Sequence, residues 1–260
     1  MPVERPAPAS AGRTPLAARL VGEGVVAGAL LAWWLASRVL PDYVLPGPVA
    51  VAQRLFELFT RPEFLAHTLV STVRVFASVA IAVVLGTGLA LAARTAPWVE
   101  AIVDERIRPV LNSFPSIGWA ILAAIWFDVG SLAVIFVQVA ILVPFCLVNV
   151  AEGLRAIDRE LLEMGRSFSR SRWRGLRLVT LPLLMPYLLA AVRISYGIGW
   201  KIALVSELVG APSGLGYLML RAQTTADSVT FLAACLAIVM IFTIGDRLVI
   251  APLERRFAGR

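Results

Sequence analysis

Between Glu163 and Pro182 the chain reads EMGRSFSRSRWRGLRLVTLP, with Arg166, Arg170, Arg172, Arg174 and Arg177 set between long apolar runs and closed by Leu181-Pro182. A polar, arginine-dense segment in that position is suited to meeting a partner. Ile157 to Phe168 has the composition of a short surface helix, with Leu161, Leu162 and Phe168 as apolar positions among Asp158, Arg159, Glu160, Glu163 and Arg166. Ser169 or Ser171 is able to cap a second short helix through Arg172, Trp173 and Leu176 before Pro182 resets the chain into the bilayer. The expected product is a helix-turn-helix elbow presenting arginines and a tryptophan; the plainer alternative is an amphipathic loop lying on anionic headgroups.

A second group of residues lies inside apolar runs. A charge at mid-bilayer costs about 2.5–3.5 kcal/mol unless it faces a cavity or a partner, which singles out Arg74, Arg193, Lys201 and Glu207. Arg193 is near enough to a span end to snorkel. Lys201, the sole lysine, is placed to neutralise an anionic solute such as a sulfonate; the competing reading is a salt bridge with Glu207 or with another helix. Six residues separate Lys201 from Glu207, so the two occupy different helix faces. Asn112, Ser113 and Ser116 flank Pro115, where proline frees backbone carbonyls that can line a water-filled path. Gln138 in mid-span serves either such a path or an interhelical hydrogen bond.

Catalytic patterns are missing: no phosphate loop, nucleophile elbow or HExxH pair occurs, so catalysis and a cofactor held by this chain are not expected. Gly86-Thr87-Gly88 lies within an apolar run and not after a strand, which favours close helix packing over dinucleotide binding; Gly24 and Gly28 form a small-residue pair of the same kind. Cys146 and Cys235 fall inside expected helices as small apolar side chains, and His67 has no neighbours at metal-ligand spacing.

These residues need elements to hold them. With 59% hydrophobic and 16% charged residues, and a mean hydropathy of +0.82, the chain is expected to be an integral membrane protein. Spans of about 20 apolar residues are placed at 21–40, 67–93, 109–127, 131–150, 181–209 and 228–250. None alternates with period 2, which excludes a β-barrel and leaves an all-α polytopic protein of about six transmembrane helices. Residues 1–20 read as a disordered cytoplasmic tail ahead of an uncleaved first span, 21–250 as the transmembrane domain and 251–260 as a cytoplasmic tail.

Arginines orient the chain. One side would hold Arg5, Arg13 and Arg19, then Arg94, Arg106 and Arg108, seven more in the 151–180 loop, and Arg247, Arg255, Arg256 and Arg260. The other would hold only Arg38, Arg54, Arg61 and Arg221, so the positive-inside rule puts both termini and the loop in the cytoplasm. The net charge of +7 then reflects topology and anionic lipid, and nucleic acid is not an expected partner.

The loop also carries a resemblance. Glu163, the offset to Ser169 and Val179-x-Leu181-Pro182 are similar to the Glu-Ala-Ala-x3-Gly-x9-Ile-x-Leu-Pro loop of inner-membrane permease subunits of ATP-binding-cassette importers. Met164 and Gly165 stand at the alanines and Ser169 at the glycine. Leu45-Pro46-x-Pro48, Trp126-Phe127-x-x-Gly130 and Glu207-Leu208-x-Gly210-Ala211 with Gly214-Leu215-Gly216-Tyr217-Leu218 resemble segments of the branch that transports nitrate, taurine and aliphatic sulfonates. In that branch the second of these reads Trp-Phe-Gly-x-Gly, and many members carry a second proline where Ile121 stands.

The resemblance implies the type I permease (MetI-like) fold, and a coupling role for Glu163, Gly165, Arg166, Phe168, Ser169, Arg170, Ser171, Arg172, Trp173, Leu181 and Pro182 against an ATPase. It also implies pairing with a second copy or a paralogous permease, two cytoplasmic ATPase subunits that hold ATP and Mg, and an extracytoplasmic solute-binding protein, in the bacterial inner membrane. A small anionic solute, of the nitrate, taurine or aliphatic sulfonate kind, is expected to be the cargo. A pyrimidine or thiamine precursor is the alternative within the family, and a gradient-driven secondary transporter the alternative outside it; no internal repeat favours the latter.

Overall fold

The computed structural model describes residues 16–94, 96–158 and 171–258, and every regular element among them is a helix. Nine follow in order: α1 Leu16–Val39, α2 Pro48–Thr60, α3 Pro62–Ala93, α4 Pro97–Ser113, α5 Ser116–Phe127, α6 Ser131–Ala156, α7 Trp173–Gly210, α8 Leu215–Thr224 and α9 Ser228–Phe257. Among the described residues α3, α6, α7 and α9 are long and apolar enough to cross a membrane; α4 and α5, bent by 90°, make a fifth span if counted as one broken crossing. α1 occupies the place of the expected first span, with Val25, Leu30, Leu31 and Leu35 all exposed, and it packs lightly on α2. No atom lies within 4 Å of where a Cβ would stand on Gly24 or Gly28, so that pair makes no packing face within the protomer.

The core is the α3, α6, α7 triple, with α5 laid on α6 and α7, and α9 packed on α2 and α8. Val75, Val79 and Ala82 of α3 meet Val137, Leu142 and Cys146 of α6 and Ala191, Trp200 and Ala203 of α7 in one buried cluster. At Gly86 the α3 and α6 backbones come close enough that a Cβ would stand 2.5 Å from the Cys146 Cβ and 2.9 Å from the Leu147 nitrogen. That glycine therefore serves helix packing, as its position in an apolar run suggested. Cys146 and Cys235 are free thiols.

Prolines shape the long helices. Each of three π turns, Val103–Ile107 in α4, Leu176–Thr180 in α7 and Asp246–Ile250 in α9, is followed at the second residue by a proline, Pro109, Pro182 or Pro252. Proline has no N–H to donate, and its ring strikes the carbonyl four residues back. The Leu181 N–H reaches back to the Leu176 oxygen, and this wider turn moves the obstructing carbonyl aside. The expectation that Pro182 resets the chain is thereby corrected, because α7 runs through Pro182 and Pro186 to Gly210 and absorbs the second short helix. At Pro115 no such turn intervenes, Phe114 is extended at φ −77° and ψ 126°, and the helix breaks. α5 continues unbroken past Ile121.

The ends also differ from the expected spans. α6 extends six residues past 150, α9 continues to Phe257 in place of a tail from 251, and α2 and α8 are short helices outside the six-span reading. α2 sits between two prolines, its Pro48 in the first turn and Pro62 opening α3, so it forms a separate helix joined by a tight bend at Arg61.

Candidate functional site

A buried polar cluster lies where the first half of α3, the start of α6 and the end of α7 meet. On α3, Ser71 and Arg74 are three residues apart and so share a face, and they meet Glu207 in the last turn of α7. Arg74 Nη1 stands 2.9 Å from Glu207 Oε1, with the two side chains 3% and 1% exposed. All five guanidinium N–H groups are used: Nη1 also donates to the Ser213 carbonyl at 2.7 Å, Nη2 to Ser213 Oγ at 3.0 Å and Ser131 Oγ at 2.9 Å, and Nε to Ser131 Oγ at 3.2 Å. Glu207 accepts in addition from Ser71 Oγ, at 2.8 and 2.7 Å to its two oxygens, and from the Gly216 amide at 2.9 Å.

The same side chains complete the N-terminus of α8, whose first amides have no partners within the helix. Gly214 N–H donates to His67 Nδ1 at 3.0 Å, Leu215 N–H to Ser71 Oγ at 2.8 Å, and Gly216 N–H to Glu207. His67 thus carries its proton on Nε2 and stacks on Tyr217 with ring centroids 5.8 Å apart. Gly214 adopts φ +117°, and a Cβ there would lie 2.3 Å from Glu207 Oε2; at Gly216 it would lie 2.7 Å from the Glu207 Cβ. Both glycines of the Gly-Leu-Gly segment are therefore spaces that the glutamate fills. Gly130 N–H to the Gly210 carbonyl at 2.9 Å ties the start of α6 to the end of α7. Every charge here is compensated, so the cluster fixes the 211–214 loop and has no open valence for chemistry.

Glu207, a solute-path candidate in the sequence with Lys201 as its alternative partner, pairs with Arg74 instead. The register of α7 explains why, since Glu207 turns into the core while Lys201 is exposed and forms no ion pair among the described residues. Arg193 pairs with Glu254 at 2.7 Å and with Asp246 at 3.8 Å on α9. Gln138 is fully buried, and neither amide atom has a hydrogen-bond partner among the described residues, so of its two readings the interhelical bond is not found there. Asn112, Ser113 and Ser116 are exposed around the 90° break between α4 and α5. No group of three or more His, Cys, Asp or Glu side chains suited to a metal occurs among the described residues.

Of the elbow, Glu163, Gly165, Arg166, Phe168, Ser169 and Arg170 lie outside the described residues. Ser171 Oγ is 3.5 Å from the Arg174 amide and the Ser171 carbonyl accepts from Gly175 N–H at 3.1 Å, so this serine opens α7 as a loose cap. Arg172 precedes Trp173, whose indole is 69% exposed, and Leu181 and Pro182 are exposed on the helix beyond the π turn.

Comparison with known proteins bears on this arrangement. The family model described as binding-protein-dependent transport system inner membrane component matches residues 82–257, more than half of the chain. The chain is 30% identical over 222 residues to a putative aliphatic sulfonates transport permease protein of Escherichia coli strain K12, covering 84% of each. It is 28% identical over 244 residues to the taurine transport system permease protein of the same strain, covering 90% of this chain and 86% of that one. A riboflavin transport system permease protein of Chloroflexus aurantiacus is 28% identical over 232 residues, with 87% and 85% covered. Among solved structures, an amino acid ABC transporter crystallised with histidines shares the fold at a TM-score of 0.60, with 17% identity and coverage of 75% of this chain and 94% of that one. The chain is a non-catalytic, multi-pass subunit of the inner membrane, and it belongs to the binding-protein-dependent transport system inner membrane component family, the permease subunits of ATP-binding-cassette importers.

Proposed function

We propose that this permease subunit carries a small anionic solute, of the nitrate, taurine or aliphatic sulfonate kind, along a path that includes Lys201 and the α4–α5 break. The observation that carries this reading is Lys201 itself: an exposed ammonium with no ion-pair partner among the described residues, about 14 Å from the Gly210 end of α7, in a helix that crosses largely apolar surroundings. A charge left there without an aqueous or anionic neighbour is costly. Asn112, Ser113 and Ser116 at the break supply polar groups on the neighbouring helix pair, and the sulfonate and taurine permeases among the relatives agree with an anion.

Family membership brings ATPase and solute-binding subunits as partners. In this reading a second copy of the chain completes the path, both termini and the 151–180 segment face the cytoplasm, lipid surrounds the outer helices, and the elbow from 157 to 177 docks on the ATPases, which hold ATP and Mg. Gln138 and Glu207 then belong to the packing of the bundle and not to the path.

The test is uptake by the reconstituted complex with its receptor. Lys201→Gln should cut uptake of the cognate anion while ATPase activity and assembly persist, and unchanged uptake, or a receptor that calorimetry shows to bind a cation, refutes the anion role. Glu163→Lys combined with deletion of 168–172 should abolish transport while leaving insertion intact; unimpaired uptake there refutes the docking assignment.

A further inference from the structure

The C-terminal ends of α3 and α6 and the first half of α4 surround a cavity of about 410 Å³ lined by Ala90, Arg94, Glu100, Asp104, Ala151 and Arg155, among others. α4 meets α3 and α6 beside this cavity through Val103, buried with Ala90 of α3 and Leu147, Val150 and Leu154 of α6, and polar ties join the same helices at the cavity rim. Arg94, at the C-terminus of α3, donates from Nη1 to the Leu154 carbonyl at 3.0 Å and so holds the last turn of α6. Arg155, one residue further along that turn, reaches the other way: its Nη2 lies 3.1 Å from Asp104 Oδ2 and 3.8 Å from Glu100 Oε1, both on α4.

The position of each partner matters. Arg155 stands immediately before the point where α6 ends and the chain leaves for the elbow. Asp104 lies in the π turn Val103–Ile107, where the helix is widened and its bonding is weakest against bending. Beyond that turn α4 runs to Ser113 and the 90° break at Phe114–Pro115, which presents Asn112, Ser113 and Ser116. An ion pair with side chains 62% and 28% exposed contributes little to stability. Its placement suits a tether between two bodies that move together.

We infer that the Arg155–Asp104 pair, seconded by Glu100, transmits displacement of the elbow's root on α6 to the π turn of α4 and thereby to the α4–α5 break that borders the path. This rests on the reading that the elbow receives the ATPase motion. Arg155 acts as a positioning residue: it touches no solute, and its charge pair sets how the end of α6 moves the π turn of α4, beside the apolar contact at Val103.

The experiment uses the full complex of permease, ATPases and receptor in proteoliposomes, comparing Arg155→Glu, Asp104→Arg and the double exchange for solute uptake per ATP hydrolysed. Each single reversal should lower that ratio by about 5-fold or more, the range of ordinary coupling energies, and the double exchange should restore it to within about 2-fold. Arg155→Gln, which removes the charge without repulsion, gives a second route to the same loss, and thermal stability should stay unchanged in all four. Singles with a wild-type ratio, or a double exchange no better than the worse single, overturn the inference. The 168–172 deletion runs beside them: if it leaves uptake intact, the elbow reading fails, whereas its loss of uptake with unaffected Arg155 variants sinks the tether alone.

Discussion

Replacing Glu207 by alanine should destabilise the protein more than any single change at its surface. The substitution leaves Arg74 as a guanidinium 2% exposed, with Nη1 stripped of its carboxylate, and leaves the Gly216 amide and the Ser71 hydroxyl without their acceptor. Breaking a buried ion pair by removing one partner costs about 3–5 kcal/mol, because the surviving charge stays desolvated. With about 2–4 °C per kcal/mol for a domain of this size, the melting temperature should fall by roughly 6–20 °C. Exchanging both residues for leucine removes the stranded charge and should recover most of the loss, so the double-mutant cycle should show strong coupling. Intrinsic tryptophan fluorescence of the purified protein during heating measures all three variants. A Glu207→Ala variant within about 1 kcal/mol of wild type, or a double variant as unstable as the single, would refute the argument that the cluster is a compensated buried pair.

Three further outcomes follow from local geometry. Gly214→Ala should cost more than about 2 kcal/mol, since it strains φ +117° and puts a methyl 2.3 Å from the Glu207 carboxylate; a melting temperature equal to wild type would count against it. Asp128 ends α5 at φ 60° and ψ 177°, a region that glycine alone enters freely, so Asp128→Gly should raise stability by about 1–3 kcal/mol, and no gain on heating would contradict the strain. Burial pushes the Asp227 carboxyl up, but the Thr230 hydroxyl and amide together with Arg54 outweigh it and hold the group below its ordinary value. A carboxyl lowered on folding stabilises above its unfolded pKa, and the benefit is lost as pH falls through the folded one. Melting temperature should therefore drop more steeply below about pH 4 in wild type than in Asp227→Asn, which still caps α9 without titrating; parallel curves would exclude the effect.

The amino-acid sequence by itself determined class and kinship. Twenty-residue apolar runs admit helices only, because lipid offers no partner to backbone amides, and the runs at 67–93, 131–150 and 228–250 each became the body of a long helix. The spaced residues from Glu163 to Pro182 and from Glu207 to Leu218 marked the permease family because such patterns are local in the chain. Tertiary structure decided what depends on which faces turn toward one another. Arg74 and Glu207 stand 133 positions apart, and their pairing follows from α3 and α7 packing in register, which no spacing along one helix reveals. The continuation of α7 through Pro182 was likewise settled by a π turn, whose formation depends on how the following residues pack. Gln138 reads in the sequence as either a path residue or an interhelical bond, and among the described residues the helices packed around it bring no bonding partner within reach. Periodicity tells which residues point inward; only the assembled bundle tells what each one meets there.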